Sequence, residues 1–192
     1  MVGEEGYDFG ANKVRFYVPM IYVIPRYVEE TTRGIEVCLE NKLIVPALEL
    51  LYSGIDVLGF LGSAKSRADR HSFIAWAQSY LDGFLAQKGI GGLDLYAARC
   101  GILHTGMAPS DLVDQHKARE LWYRYQGISY INLIVNAPKP PVLVDVEEMV
   151  SAFNSGTLQF LNKLGQDAAL GQRAEAKAIR FFRPGELHGP IT

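Results

Sequence analysis

The stretch Leu93-Asp94-Leu95-Tyr96-Ala97-Ala98-Arg99-Cys100-Gly101-Ile102-Leu103-His104 reads as a helix of aliphatic residues that Thr105-Gly106 brings to an end. It carries one Arg and one His near its C-terminal end. An aliphatic helix has no packing reason to hold both, so the two side chains are either satisfied locally or do chemistry.

Outward from this helix the pattern stays helical. Upstream, Ser72 to Gln87 places Phe73, Trp76, Ala77, Tyr80, Leu81 and Phe84 on one face and stops before Gly89, Gly91 and Gly92. A polar connector from Gly62 to Ser72 precedes it. From about Tyr27 to Leu61, Ile35, Leu39, Leu43, Leu50, Leu51, Leu58 and Leu61 recur near turn spacing, and Pro46 either kinks this segment or begins its second part. Val14 to Ile24 is rich in Val, Ile, Tyr and Phe and reads as a strand, which Pro19 confines to an edge or breaks. Downstream, Leu121 to Tyr125 and Ser129 to Val135 read as two strands around Gly127, followed by a turn at Pro138, Pro140 and Pro141. Asp145 can cap a long helix from about Val146 to Leu164, and a shorter amphipathic helix runs from Ala168 to Arg180. The expected fold is mainly α: a four-helix bundle with a small β-strand elaboration between its third and fourth helices.

The bulk properties fit one globular domain over residues 1–192, with flexible termini at 1–12 and 182–192. With 192 residues and 48% hydrophobic content, the chain can bury a sizeable core. A net charge of −2 and a pI near 6.1 give no global basic field, so contact with nucleic acid must come from a local patch. Cys38 and Cys100 are too few for a disulfide framework and suit a reducing cytoplasm. Met1-Val2-Gly3-Glu4-Glu5-Gly6 lacks the basic-then-apolar order of a signal peptide. No uninterrupted apolar run approaches the roughly 20 residues of a membrane span, so no membrane contact is expected.

Spacing alone says little about Arg99 and His104. With 11 Arg and 4 His, a random chain of this composition contains about 0.7 matches to an Arg followed four to six residues later by a His. Arg183 and His188 match equally well, in a tail marked by Pro184-Gly185. Context separates the two. The string Arg99-Cys100-Gly101-Ile102-Leu103-His104-Thr105-Gly106, preceded by Leu95-Tyr96, resembles the Arg-X4–6-His motif of the HEPN superfamily, the higher eukaryotes and prokaryotes nucleotide-binding domains. Leu51-Tyr52-Ser53-Gly54-Ile55-Asp56 and the helix carrying Phe73, Trp76 and Tyr80 look like a largely uncharacterised bacterial branch of it.

The resemblance implies a four-helix bundle that forms a homodimer, with the Arg and His of both protomers in a shared cleft. It also implies a metal-independent ribonuclease of the toxin–antitoxin or defence kind, with RNA as substrate and a cognate antitoxin protein as candidate partner. One departure stands out: active members usually carry a polar residue after the Arg, and here it is Cys100. That departure favours the alternative, a non-catalytic module of the same family that binds RNA, a nucleotide or a protein. A third reading is a structural domain whose dimer surface is its function.

The chemistry stands without the family. Cleaving RNA beside a 2′-hydroxyl needs a group that exchanges a proton near neutral pH and a cation for the growing phosphoryl charge. His104 suits the first role and Arg99 the second. Five positions on an ideal helix leave the two side chains about 140° apart and about 7.5 Å displaced. So Arg99 swings round, or Gly101 lets the helix distort, or a two-fold axis brings the groups of opposite protomers together. The bland alternative is that both side chains satisfy terminal carbonyls at the negative end of the helix dipole.

Asp56 is the only charge between Glu49 and Lys65, and could orient Arg99 or His104 from a neighbouring helix. Tyr96 belongs to the same constellation, and Tyr52 and Ser53 could line the cleft or simply pack. Lys65, Arg67 and Arg70, with His71, form a local basic cluster that could touch RNA phosphates, offset in part by Asp69. A second basic stretch, His116, Lys117, Arg119 and Arg124, interleaves Trp122, Tyr123 and Tyr125, as a stacking platform or as plain strand alternation. Neither a metal site nor a cofactor is expected, because the His and Cys residues are scattered and Gly89-Ile90-Gly91-Gly92 lacks the residues of a phosphate-binding loop.

Overall fold

The structure, a computed structural model, describes residues 23–105, 110–126 and 141–181, the side chains of His104, Thr105 and Phe181 excepted. The expected flexible termini, the strand expected over 129–135 and most of that over 14–24 lie outside these residues. The described residues are mainly helical with a small two-stranded sheet. The order is α1 (Val23–Glu40), α2 (Ile44–Gly62), α3 (Arg70–Tyr80), α4 (Asp82–Lys88), α5 (Gly92–Thr105), α6 (Asp111–Asp114), β1 (Leu121–Arg124), β2 (Val142–Asp145), α7 (Val146–Gln166) and α8 (Ala168–Phe181).

The helical segment expected from Tyr27 to Leu61 is two helices, the second beginning just before Pro46, one of the two readings that proline allowed. The chain turns at Asn41-Lys42-Leu43, where Lys42 takes φ 59° and Leu43 N–H reaches back to the Cys38 carbonyl at 2.8 Å. That is the αL closure usually given to glycine, and Gly89 makes the same closure after α4 at φ 62°. Pro46 then sits in the first turn of α2, where its missing N–H has no partner to lose. At the other end of α1, Val23 and Ile24, expected in a strand, open the helix with Pro25 in its first turn. The helix expected over 72–87 is likewise divided at Leu81 into α3 and α4. These two divisions, with the expected shorter helix α8 and the four-residue α6, make eight helices among the described residues.

Among them α2 is central, packing against α1, α3, α5, α7 and α8. Leu51, Tyr52, Ile55, Leu58 and Leu61 on it are fully buried, and one hydrophobic cluster joins them to residues of α1, α3, α4, α5, α7, α8 and both strands. Glu49 and Asp56 interrupt it, so no uninterrupted apolar run spans α2, yet by length and composition alone the helix is apolar enough to cross a membrane; half of that stretch is buried within the fold. Glycines let neighbours approach it closely. A Cβ on Gly59 would lie 2.7 Å from the Ser72 carbonyl of α3, and one on Gly54 would lie 2.7 Å from the Phe153 ring of α7.

The strands form a parallel pair with Leu121 opposite Val142 and Arg124 opposite Asp145. β2 lies where only a turn before a helix was expected, and Val142 and Val144 face the core. Asp145 occupies the N-cap position of α7 without capping it; both its oxygens accept from Arg124, at 2.6 Å each. Those hydrogen bonds hold the Asp145 carboxyl below its ordinary range. Asp69 is the working cap instead. It accepts from the Ser72 N–H at 2.8 Å while the Ser72 hydroxyl accepts from the Asp69 N–H, so Arg70 and His71 belong to α3.

Two outcomes follow. Gly59→Ala should destabilise the protein by about 1–3 kcal/mol in urea unfolding, because backbone must move, whereas Gly165→Ala near the end of α7, with open space around it, should stabilise by up to about 1 kcal/mol. The Lys65 hydrogen bond, then the Ser72 N–H, hold the Asp69 carboxyl at about 2, against 3.8 ordinarily. Because folding lowers this pKa, its contribution is complete above about pH 4 and is lost as the pH falls through 2. Acid titration of stability should show a shallower loss across that window in Asp69→Asn than in the native protein.

Candidate functional site

α5 is anchored at its start. Asp94 in its first turn accepts from the N–H of Gly91 and of Arg119, each at 2.7 Å, and Gly92 allows close contact with Ile74 of α3. From there the helix runs unbroken through Gly101 to Thr105, with Leu95, Ala97 and Ile102 buried. Arg99 leaves it towards α2. Its Nε donates to Asp56 Oδ2 at 2.7 Å, and Nη2 lies 2.6 Å from the same oxygen. The two side chains are 20% and 21% exposed, so the pair is partly shielded yet reachable.

This environment sets the charge of the pair. Burial lowers the Arg99 pKa, but the Asp56 charge and hydrogen bond outweigh it and the net shift is upward. Arg99 is a permanent cation. Tyr96 stands beside it, its ring centroid 5.9 Å from the guanidinium carbon, and it makes a T-shaped contact with Phe73, ring centroids 5.5 Å apart. Burial, followed by Cys100, raises the Tyr96 pKa. Cys100 also interacts with Arg99, a contact that the spacing of the motif does not announce. Tyr27 of α1 feels the Asp56 charge from the other side, although burial is the main reason its pKa is raised.

The expected residues divide. Asp56, Tyr96 and Arg99 come together where α2 and α5 meet. His104 is in the last turn of α5, five residues beyond Arg99, and its side chain lies outside the described residues. Lys65 and Arg67 are exposed past the end of α2, and Arg70 is exposed in the first turn of α3. Lys65 is paired with Asp69.

Tyr52 is fully buried and its hydroxyl meets that of Tyr123, so it ties α2 to β1 rather than lining a cleft. Burial drives its pKa well up. Tyr125 donates to the Leu39 carbonyl at 3.0 Å, so two of the three aromatics of the second basic stretch serve packing. Arg119 donates to the Gly89 carbonyl at 3.1 Å. Among the described residues no group of three or more His, Cys, Asp or Glu could hold a metal ion. Two open clefts, of about 380 and 490 Å³, lie elsewhere, and neither is lined by Asp56 or Arg99.

No protein-family model, curated protein or solved structure matches the chain.

The pair should be measurable as a coupling. In a double-mutant cycle of Asp56→Ala and Arg99→Ala followed by urea unfolding, a coupling energy of about 1–3 kcal/mol is expected, since either single change leaves a partly buried charge without its partner. A coupling near zero would show that the contact does not hold α5 to α2.

Proposed function

We propose that this protein is a HEPN-type, metal-independent endoribonuclease of the toxin or defence kind, acting in the cytoplasm as a homodimer, with an antitoxin protein as cognate partner. The observation that carries the reading is a permanent, partly exposed guanidinium at Arg99, steadied by Asp56 from the next helix and standing five residues before His104 on an unbroken helix. A phosphate competing with Asp56 for Arg99 would meet a fork of donors already oriented.

In this reaction the RNA 2′-oxygen attacks the adjacent phosphorus as its proton leaves to a base. The bond from phosphorus to the 5′-oxygen breaks, and that oxygen takes a proton from an acid. The products are a 2′,3′-cyclic phosphate and a free 5′-hydroxyl. His104 is assigned the proton transfers and Arg99 the charge on the phosphoryl oxygens. Asp56 and Tyr96 position Arg99. The unbroken helix removes distortion at Gly101 as a way to join Arg99 and His104 within one chain, and the ion pair opposes a swing of Arg99. This favours pairing across a dimer.

A second reading keeps the binding and drops the chemistry. It is favoured by two facts: Arg99 already gives Nε and Nη2 to Asp56, and the next position is Cys100.

Incubating the pure protein with single-stranded and structured RNA in EDTA should yield cyclic phosphate ends. Arg99→Ala and His104→Ala, with folds matched by circular dichroism, should each lose at least about a hundredfold in rate. Equal cleavage in all three would overturn the ribonuclease. RNA retention without cleavage by the native protein would establish the binding module, and a monomer that still cleaves would overturn the dimer.

A further inference from the structure

Two segments far apart in sequence meet at the C-terminal end of α2. Lys177 donates from Nζ to the carbonyl oxygens of Phe60 and Ser63, both at 2.7 Å, and Arg173 Nε donates to the Ser63 oxygen at 3.3 Å, across 110 positions of sequence. The connector 63–71 and the α8 segment 173–180 thus share one end of the fold. Together they carry six cations, Lys65, Arg67, Arg70, Arg173, Lys177 and Arg180, against the carboxylates of Asp69 and Glu175. Asp69 is paired with Lys65 and accepts from the Ser72 N–H, so this ion pair adds no net charge and the excess comes from the four arginines and Lys177. Glu175 lies about 200° round α8 from Arg173, away from the cationic stripe, and one of its oxygens is buried. All four arginines are exposed. In a chain of net charge −2, this is a local positive field on an otherwise weakly acidic molecule.

The patch adjoins the candidate site. Asp56, Phe60 and Ser63 are spaced i, i+4 and i+7 along α2, so they share a face, and Ser63 lies about 10 Å along the axis from Asp56. Arg99 stands at one end of this run and Arg173 with Lys177 at the other. Between them is the half-buried ring of Phe60, with the Lys177 ammonium 4.5 Å from its centroid. Burial and the like charge of Arg173 pull the Lys177 pKa down, and an anion seated between the two cations would relieve that repulsion. Cations tracking a backbone beside an aromatic ring are what a single nucleic-acid strand requires.

We propose that Arg67, Arg173 and Lys177 form a surface that binds the phosphate backbone of single-stranded RNA and leads the strand along this face of α2 to Arg99. The proposal rests on the ribonuclease reading for its substrate, but not for its binding measurement. Lys177 also closes the end of α2, so the test leaves it in place and changes Arg67 and Arg173, both exposed.

Fluorescence anisotropy with a labelled single-stranded RNA of about 12 nucleotides, between about 50 and about 200 mM salt, gives affinity and salt slope. Arg67→Gln with Arg173→Gln should weaken binding at least about tenfold and flatten the slope by about 1.4, the value for two lost contacts to a single strand. Lys42→Gln, an exposed cation at the opposite end of α2, should change neither. RNA bound equally well by native protein and double variant would overturn the surface while leaving cleavage through Arg99 standing, and cleavage that depends on Arg99 but is indifferent to the double variant would do the same. No binding of this RNA by the native protein at the lower salt would overturn it outright. So would capture by phosphatidylserine vesicles in place of RNA.

Discussion

The burial of α2 is the constraint on which the rest depends. A helix of 19 residues with two charges lies stably among others when its apolar arc is covered; five other helices pack against it and half of it is buried. Two of the approaches are possible only because Gly54 and Gly59 leave no side chain at the crossing. Close approach gains dispersion contacts and excludes water, but it also fixes the rotation of α2 about its own axis. Once Gly59 must face the α3 backbone and Gly54 must face Phe153, Asp56 has no choice of direction. The lone carboxylate is placed where α5 passes, by packing that has nothing to do with its charge.

Much of this is legible in the order of residues alone. α5, α7 and α8 lie within a residue or two of where their spacing puts them, because each is bounded by a strong local signal. The elements that differ have no such signal. The turn between α1 and α2 uses Lys42 in a conformation that Gly or Asn usually marks, so Pro46 signals a break nearby but nothing at the turn itself fixes its position. β2 is four residues long and exists because β1 pairs with it. Asp145 has the residue type and position of a cap, and tertiary pairing with Arg124 takes it instead. Asp56 is legible as a partner because it is an isolated charge in an apolar run, whereas Arg173 and Lys177 have the spacing of the solvated face of an amphipathic helix. Their meeting with Ser63 depends on how α8 docks, which no periodicity contains.

Charge is distributed in the same two-level way. The chain as a whole is weakly acidic, and exposed Glu29, Glu30, Glu36 and Glu40 line α1. The end of α2 is the opposite, and the helix itself contributes. Its terminal carbonyls present partial negative charge, which Lys177 neutralises directly while Arg173 reaches Ser63 from the same side. One role of these cations is therefore structural, closing a helix that has no basic residue in its own last turn. A side chain such as Arg173, exposed and at 3.3 Å from its acceptor, retains most of its capacity for an outside anion.

Helical phase limits what one copy of this chain can do. Arg99 is turned towards α2 and held there by two contacts to one carboxylate oxygen. His104 follows on the same rigid element about 140° round and about 7.5 Å further along. No rotation of α5 can aim both residues at one phosphate, because turning the helix moves them together. Bringing them to a common point within the chain would require α5 to bend, and it is helical throughout, or Arg99 to leave Asp56 and lose the charge that offsets its burial. A second copy related by a two-fold axis would remove the conflict if it brought the Arg of one protomer to the His of the other. The proposed dimer is thus the arrangement in which the catalytic reading and the observed ion pair are both satisfied.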